Sequence, residues 1–513
     1  MSERIATQLL WSAVTGLARH RTGARESTAR WRRNVRRGGC APVWDTDRPV
    51  STETSAVRFA TNTQEAHRSI GAPASAPCRE YPLRDPLASR ITAAGSAADA
   101  AARAGAHRPA TNETALLLTL AGIQFTCVVD FMVMMPLGPQ FTRLFGISDG
   151  QFGLLVSAYT LAAGAAGLVA STFIDRFERK TLLLWLYAGF ALATLACGLA
   201  PSYALLLTAR VLAGLFGGVL GTLVQTIVGD AVALERRGRA MGVVMGAFSL
   251  ATVAGVPASL WLAERFGWHS AFVSIAAASV AIGAVGLRTL PRIDGHVHAA
   301  RGASALRPLA NVLREPNHWR AFALSALIMA AGFTLIPYLT IYLTANVELP
   351  AAQVPLVYLA GGIATFFSAR LIGALADRWG KVRTFRLIAS AALVPIVAIT
   401  HLGPLPLGAL LAVTTAFFVF VSGRFVPALA LITAAAAPAL RGTFMSLNGA
   451  VQSAAMGIAS LAGGLLISRD ANGLVQGYER CGWIAAALTL LALWWVGRVQ
   501  VARSPADATA AVR

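Results

Sequence analysis

The stretch Ser171-Thr172-Phe173-Ile174-Asp175-Arg176-Phe177-Glu178-Arg179-Lys180-Thr181 is a short charged knot between two long apolar runs. The chain repeats it as Gly373-Ala374-Leu375-Ala376-Asp377-Arg378-Trp379-Gly380-Lys381-Val382-Arg383-Thr384. Each copy places a small residue before Asp-Arg, then basic residues, then a new apolar run. Each also follows the second long apolar run of its half, so the chain reads as two related halves. Repetition fixes architecture before any local assignment does. Two halves of one pattern, each built of membrane-length runs, are the mark of secondary transporters.

Composition agrees. The apolar fraction is 56 % and the charged fraction 13 %, too apolar for a soluble chain of this length. Many runs exceed the eighteen or so residues needed to cross roughly 30 Å of hydrocarbon. The formal charge of +20 sits in the first hundred residues and in loops on one side of the spans, so it does not point to nucleic acid. Cys40, Cys78, Cys127, Cys197 and Cys481 are scattered, with no metal or disulfide spacing. No phosphate-binding Gly-x-x-x-x-Gly-Lys-Ser/Thr loop is present, so ATP is not expected to power the chain directly. Paired carboxylates, nucleophile–base pairs and metal clusters are absent from the apolar region, so no enzyme, cofactor or metal is expected.

The doubled knot resembles the loop motif of the major facilitator superfamily, Gly-x-Leu-Ala-Asp-Arg-x-Gly-Arg-Lys. The second copy matches through Gly373, Asp377, Arg378, Gly380 and Lys381; the first keeps Asp175, Arg176, Arg179 and Lys180 but has Ser171 and Glu178 at the glycine positions. The resemblance covers roughly residues 113 to 500. It implies an all-α membrane protein of twelve transmembrane helices in two pseudo-symmetric six-helix bundles, and is closest to the bacterial drug:proton antiporter and sugar-efflux branch. In that family the first motif sits beside the eleventh helix and the second beside the fifth. Such contacts latch the outward-facing state.

The expected domains are a disordered basic extension (1–112), a first bundle (113–290), a polar linker (291–320), a second bundle (321–498) and a tail (499–513). The extension is poor in branched apolar residues and carries Arg30-Trp31-Arg32-Arg33-Asn34-Val35-Arg36-Arg37. It reads as an unfolded arm, or as the product of a start codon placed upstream. Lys and Arg crowd the loops holding the motifs, whereas the opposite loops carry only Arg143, Arg265, Arg469 and Arg480. The motif side is therefore expected to be cytoplasmic, with both termini inside a bacterial-type inner membrane.

Charges inside a membrane are costly and usually functional. Asp130, Arg210 and Arg424 lie within spans, and Arg370 nearer a span end. Arg210 precedes Gly214 by four residues, as in the family's fourth-helix motif, where the resemblance links the arginine to proton transfer. Counting inward from the span ends at 1.5 Å per residue places Asp130 and Arg210 at matching depth. They are the expected proton-coupling pair, with Thr126 one turn before Asp130 as its hydrogen-bond partner; a static ion pair is the alternative. Arg424 either binds an anionic substrate or caps carbonyls freed by Pro427. Gln124, Thr126, Tyr159, Tyr338, Asn448 and Gln452 are further candidate cavity groups. Gly255-Val256-Pro257 is expected to bend the fifth span; the family's antiporter signature places Gly and Pro side by side.

The expectation is thus a monomeric secondary transporter in a lipid bilayer. It exports a small organic solute, drug-like or sugar-like, in exchange for protons. Proton-coupled import of an organic anion and a non-transporting membrane sensor stand as alternatives.

Overall fold

In the computed structural model, residues 113–174, 177–292, 306–437 and 440–502 are described. The 1–112 extension, Asp175, Arg176, most of the linker before 306 and the tail beyond 502 lie outside them.

Twelve helices among the described residues are long and apolar enough to cross a bilayer. They are α1 (Glu113–Val133), α2 (Asp149–Phe173), α3 (Arg179–Gly198), α4 (Tyr203–Ala231), α5 (Arg236–Phe266), α6 (His269–Thr289), α7 (Pro316–Ala345), α8 (Val354–Trp379), α9 (Lys381–Thr400), α10 (Leu407–Ala434), α11 (Arg441–Leu466) and α12 (Tyr478–Trp495). Packing follows the repeat. In the first bundle α1 lies on α5 and α6, α2 on α4, and α3 on α4 and α6; in the second, α7 lies on α11 and α12, α8 on α10, and α9 on α10 and α12. The bundles meet through α2 with α11 and α5 with α8, which the same pseudo-symmetry exchanges.

Several ends differ from the sequence expectation. The seventh span begins at Pro316 rather than 321, because Pro is well tolerated in a first helical turn. Within the expected linker, Leu306–Arg314 is a short helix. Asp377 and Arg378 belong to the last turn of α8, and the loop is reduced to Gly380 at φ +88°. No β-carbon opposes that backbone at glycine. At the corresponding position of the first copy, Glu178 stays at φ −64° and caps α3, accepting from the backbone N–H groups of Lys180 and Thr181 at 2.9 and 2.7 Å.

Three spans are interrupted. α5 contains a π-helical turn, Ala251–Gly255, directly before Pro257. The wide turn absorbs the donor and space that proline removes. α7 breaks at Thr334–Tyr338 around Pro337. α10 divides at Arg424.

Small residues set the closest approaches. A β-carbon on Gly214 would strike the backbone of Tyr159, and one on Gly218 that of Ala163. The four-residue spacing on both helices locks α4 against α2, in the manner of membrane helices that lack a hydrophobic drive to associate. Gly218→Val is therefore expected to destabilise the folded protein by about 1–3 kcal/mol or more, since the obstacle is backbone rather than a flexible side chain. A lowered thermal midpoint in detergent checks this; an unchanged one would show that α2 and α4 separate freely.

Candidate functional site

Asp130 on α1 and Arg210 on α4 are both fully buried. Arg210 Nη1 donates to Asp130 Oδ2 at 3.0 Å and to the Asp130 carbonyl at 3.3 Å. Thr194 of α3 donates to Asp130 Oδ1 at 3.2 Å. The guanidinium lies 4.4 Å from the ring centre of Tyr159 on α2, a cation–π contact strengthened by the lack of water. Four helices thus converge on one ion pair. Arg210 Nε and Nη2 are buried without a hydrogen-bond partner among the described residues.

Thr126 does not serve Asp130. It shares a hydrogen bond of 2.9 Å with Tyr187 Oη of α3 and donates to the Ile123 carbonyl. Tyr187 and Thr194 stand two turns apart on one face of α3 and take Thr126 and Asp130 in order. The sequence offered no sign of this register: Thr194 is a lone threonine in an apolar run. Tyr159 also stacks on Phe131 at 5.4 Å, and Phe131 on Phe333 of α7 at 5.9 Å. The ring stack carries the ion pair's surroundings across to the other bundle, just before the break in α7.

Arg424 is buried in the second bundle without a carboxylate among the described residues. Nη1 donates to Thr489 Oγ1 of α12 at 2.6 Å and Nη2 to the Ile328 carbonyl of α7 at 3.5 Å, leaving Nε unpartnered. It does not cap carbonyls of its own helix. Asn448 accepts from Ser325 at 2.6 Å, with half-buried Gln452 one turn further along α11. Gln124 Oε1 is buried without a hydrogen-bond partner among the described residues. Arg370 lies over the Phe366 ring of its own helix.

The bundles are closed against each other at the end opposite the motifs. Asp149, at the start of α2, takes a bidentate pair from Arg469 beyond α11, at 3.0 and 2.9 Å. That hydrogen bonding holds the Arg469 guanidinium's pKa above its ordinary value, against the opposing cost of partial burial. Arg469 opens a two-stranded hairpin, Ser468–Arg469 with Val475–Gln476, held to α7 by Asn346, which both donates to and accepts from Val475. Beneath it, Tyr338 donates to the Ser460 carbonyl and packs edge-on to Phe152. Tyr338 is thus part of the seal in this conformation. Further inward Ser157 donates to the Gly457 carbonyl at 2.8 Å.

Toward the motif end the contacts thin. Among the described residues, no atom of another element stands within 4 Å of where a β-carbon would sit on Gly238, Gly242 and Gly246 of α5, or on Gly442 and Gly449 of α11. Arg179 is buried, donating to Asp230 Oδ2 at 3.2 Å and to the Ile174 carbonyl at 3.0 Å. Lys180 reaches the Leu287 carbonyl and Lys381 the Ala430 carbonyl, each tying its motif to a neighbouring helix of its own bundle. Asp377 and Arg378 are exposed, and no ion pair among the described residues engages Asp377. α8, which ends in the second motif, packs on α5.

A sequence profile of the Major Facilitator Superfamily matches residues 120–460. The chain belongs to the major facilitator superfamily. The family is one of transporters rather than enzymes. An uncharacterized MFS-type transporter of Bacillus subtilis, YceJ, is 27 % identical over 359 residues, 69 % of this chain and 90 % of the relative. The chloramphenicol resistance protein of Streptomyces lividans is 26 % identical over 382 residues, 72 % and 93 % of the two chains. The solved structure of a bacterial homologue of the human lysosomal transporter Spinster, in an inward-facing and unoccupied conformation, superposes with a TM-score of 0.60 at 16 % identity, covering 77 % of this chain and all of that one. This superfamily transporter is a multi-pass membrane protein.

The seal generates a test. In solubilised protein with its native cysteines replaced by alanine, Arg469→Gln is expected to raise maleimide labelling of a cysteine placed at Ser460, which is fully buried beneath the seal, several-fold. Unchanged labelling would mean that the apolar layer alone closes this end.

Proposed function

We propose that this chain is a proton-coupled exporter of a small organic solute, working by alternating access, with Asp130 as the proton-carrying group. The observation that carries the reading is the fully buried Asp130–Arg210 pair. A carboxylate in so dry a place keeps its charge only while a cation stays beside it. When rocking of the bundles lengthens that contact or lets water in, Asp130 takes up or gives up a proton. Neutralising Asp130 frees Arg210, whose Nε and Nη2 already lack hydrogen-bond partners among the described residues, and the Tyr159–Phe131–Phe333 stack passes the change to α7. Gln124 on α1 and Asn448 and Gln452 on α11 are the substrate-binding candidates. The resistance protein among the relatives supports export, and the basic motif side supports a cytoplasmic location for both termini in an inner membrane.

In membrane vesicles, Asp130→Asn is expected to abolish proton-driven transport, a loss of about a hundredfold or more if the proton step is obligatory. Substrate counterflow should survive. Uphill transport by Asp130→Asn with an unchanged pH dependence would make the pair structural.

A second reading is favoured by Arg424, a buried guanidinium without a counter-charge among the described residues. In that reading the solute is an organic anion and moves inward with protons. The direction of transport in the same vesicles separates the two readings.

A further inference from the structure

The outer seam between α9 and α12 carries a feature that neither solute transport nor proton coupling uses. Arg386, in the second turn of α9, extends its guanidinium along the helix to the end of α12, where Nη2 would lie 2.9 Å from a β-carbon on Gly497. Arg498, just beyond α12, places its guanidinium 3.4 Å from the ring centre of Trp494 and 5.0 Å from that of Trp495. Trp495 is in turn fixed by donating to the Arg320 carbonyl at the start of α7. Two arginines and two indoles are thus gathered at the motif-side end of one seam. Both arginines are exposed. Neither forms an ion pair with a carboxylate among the described residues.

Below them the seam is apolar and open. Leu387 and Val394 of α9 and Leu490, Leu491 and Trp494 of α12 are all exposed. Leu387 and Val394 are spaced seven residues apart, as are positions on one helix face. On a chain that crosses a bilayer, such a surface faces acyl chains. The arrangement offers a positively charged head position, flat indole rings at the interface and an apolar track running inward. Arginine favours phosphate because its planar fork donates two parallel hydrogen bonds.

We propose that the α9–α12 seam is a binding site for one anionic phospholipid, whose phosphate lies between Arg386 and Arg498 and whose acyl chains run along Leu387, Val394, Leu490 and Leu491. The bound lipid supplies the negative charge that the two arginines lack. It also braces α9 and α12, whose other ends pack Thr400 against Gly482. The site lies on the bilayer-facing side of the second bundle, away from the α2–α11 and α5–α8 interfaces. It therefore acts as a fixed point on a bundle that rocks.

The test uses the full chain in detergent, followed by native mass spectrometry. Dioleoyl phosphatidylglycerol is expected to give a single saturating adduct at concentrations where dioleoyl phosphatidylcholine gives none. Inorganic phosphate at the same concentration should not displace it, which separates a lipid from a free anion. Arg386→Gln and Arg498→Gln should each weaken the adduct about five-fold, and the paired lysine variant R386K/R498K should recover part of the loss. Equal binding of the two lipids by the wild-type chain would overturn the proposal, as would displacement by inorganic phosphate. Unchanged phosphatidylglycerol binding in the double glutamine variant would do the same. The wild-type comparisons need no variant, so they decide the matter even if a substitution prevents folding.

Discussion

Backbone-to-backbone contact along α2 is the constraint from which the rest of the structure follows. One edge of that helix lies against Gly214 and Gly218 of α4, where no side chain larger than hydrogen fits. Another edge meets α11 at Gly150, Gly153 and Gly164, opposite Gly464, Ser460 and Ser453. Between lipid tails and apolar side chains there is little solvent force to hold helices together, so close packing and a few buried hydrogen bonds must do it. The first edge is fixed within a bundle. The second joins two bundles, and it is fastened by Ser157 donating to a backbone carbonyl and capped by the Asp149–Arg469 pair.

The same helix presents Tyr159 to Arg210, so the interface that seals the far end and the shelf under the ion pair share one rigid element. A movement that parts α2 from α11 cannot leave Tyr159 where it is relative to Phe333 of α7. The structure thus places a buried, charge-bearing centre in mechanical contact with the surface along which the bundles separate. The open space beside the α5 and α11 glycines at the motif end is the other half of the same geometry.

Much of this was legible in the sequence, and the boundary of legibility has a physical cause. The spans were readable because hydrocarbon demands long apolar runs, and the Asp130–Arg210 pairing because charges inside such runs are few enough to be matched by depth. Thr194 was not readable as the partner of Asp130. That assignment depends on how α3 is rotated and shifted against α1, which no single helix encodes. Arg469 was visible only as a loop charge, and Asp149 was not singled out; their pairing joins segments distant in sequence. The break in α7 had a signal in Pro337, whereas the division of α10 falls at Arg424, three residues before Pro427, and would not have been placed from the proline alone. The second motif was read as a loop, yet its Asp-Arg is helical, because Gly380 alone suffices to turn the chain.

Glu178 and Gly380 occupy equivalent places in the two halves and turn the chain by different means. One turn is held by a carboxylate that accepts two backbone hydrogen bonds; the other is held by a backbone torsion that needs no partner. The first has an enthalpic fastening that depends on the side chain. The second is set by sterics. Two halves of one pattern therefore close equivalent turns by different means, so a side-chain truncation at Glu178 removes a fastening, whereas at Gly380 any added side chain strains the backbone.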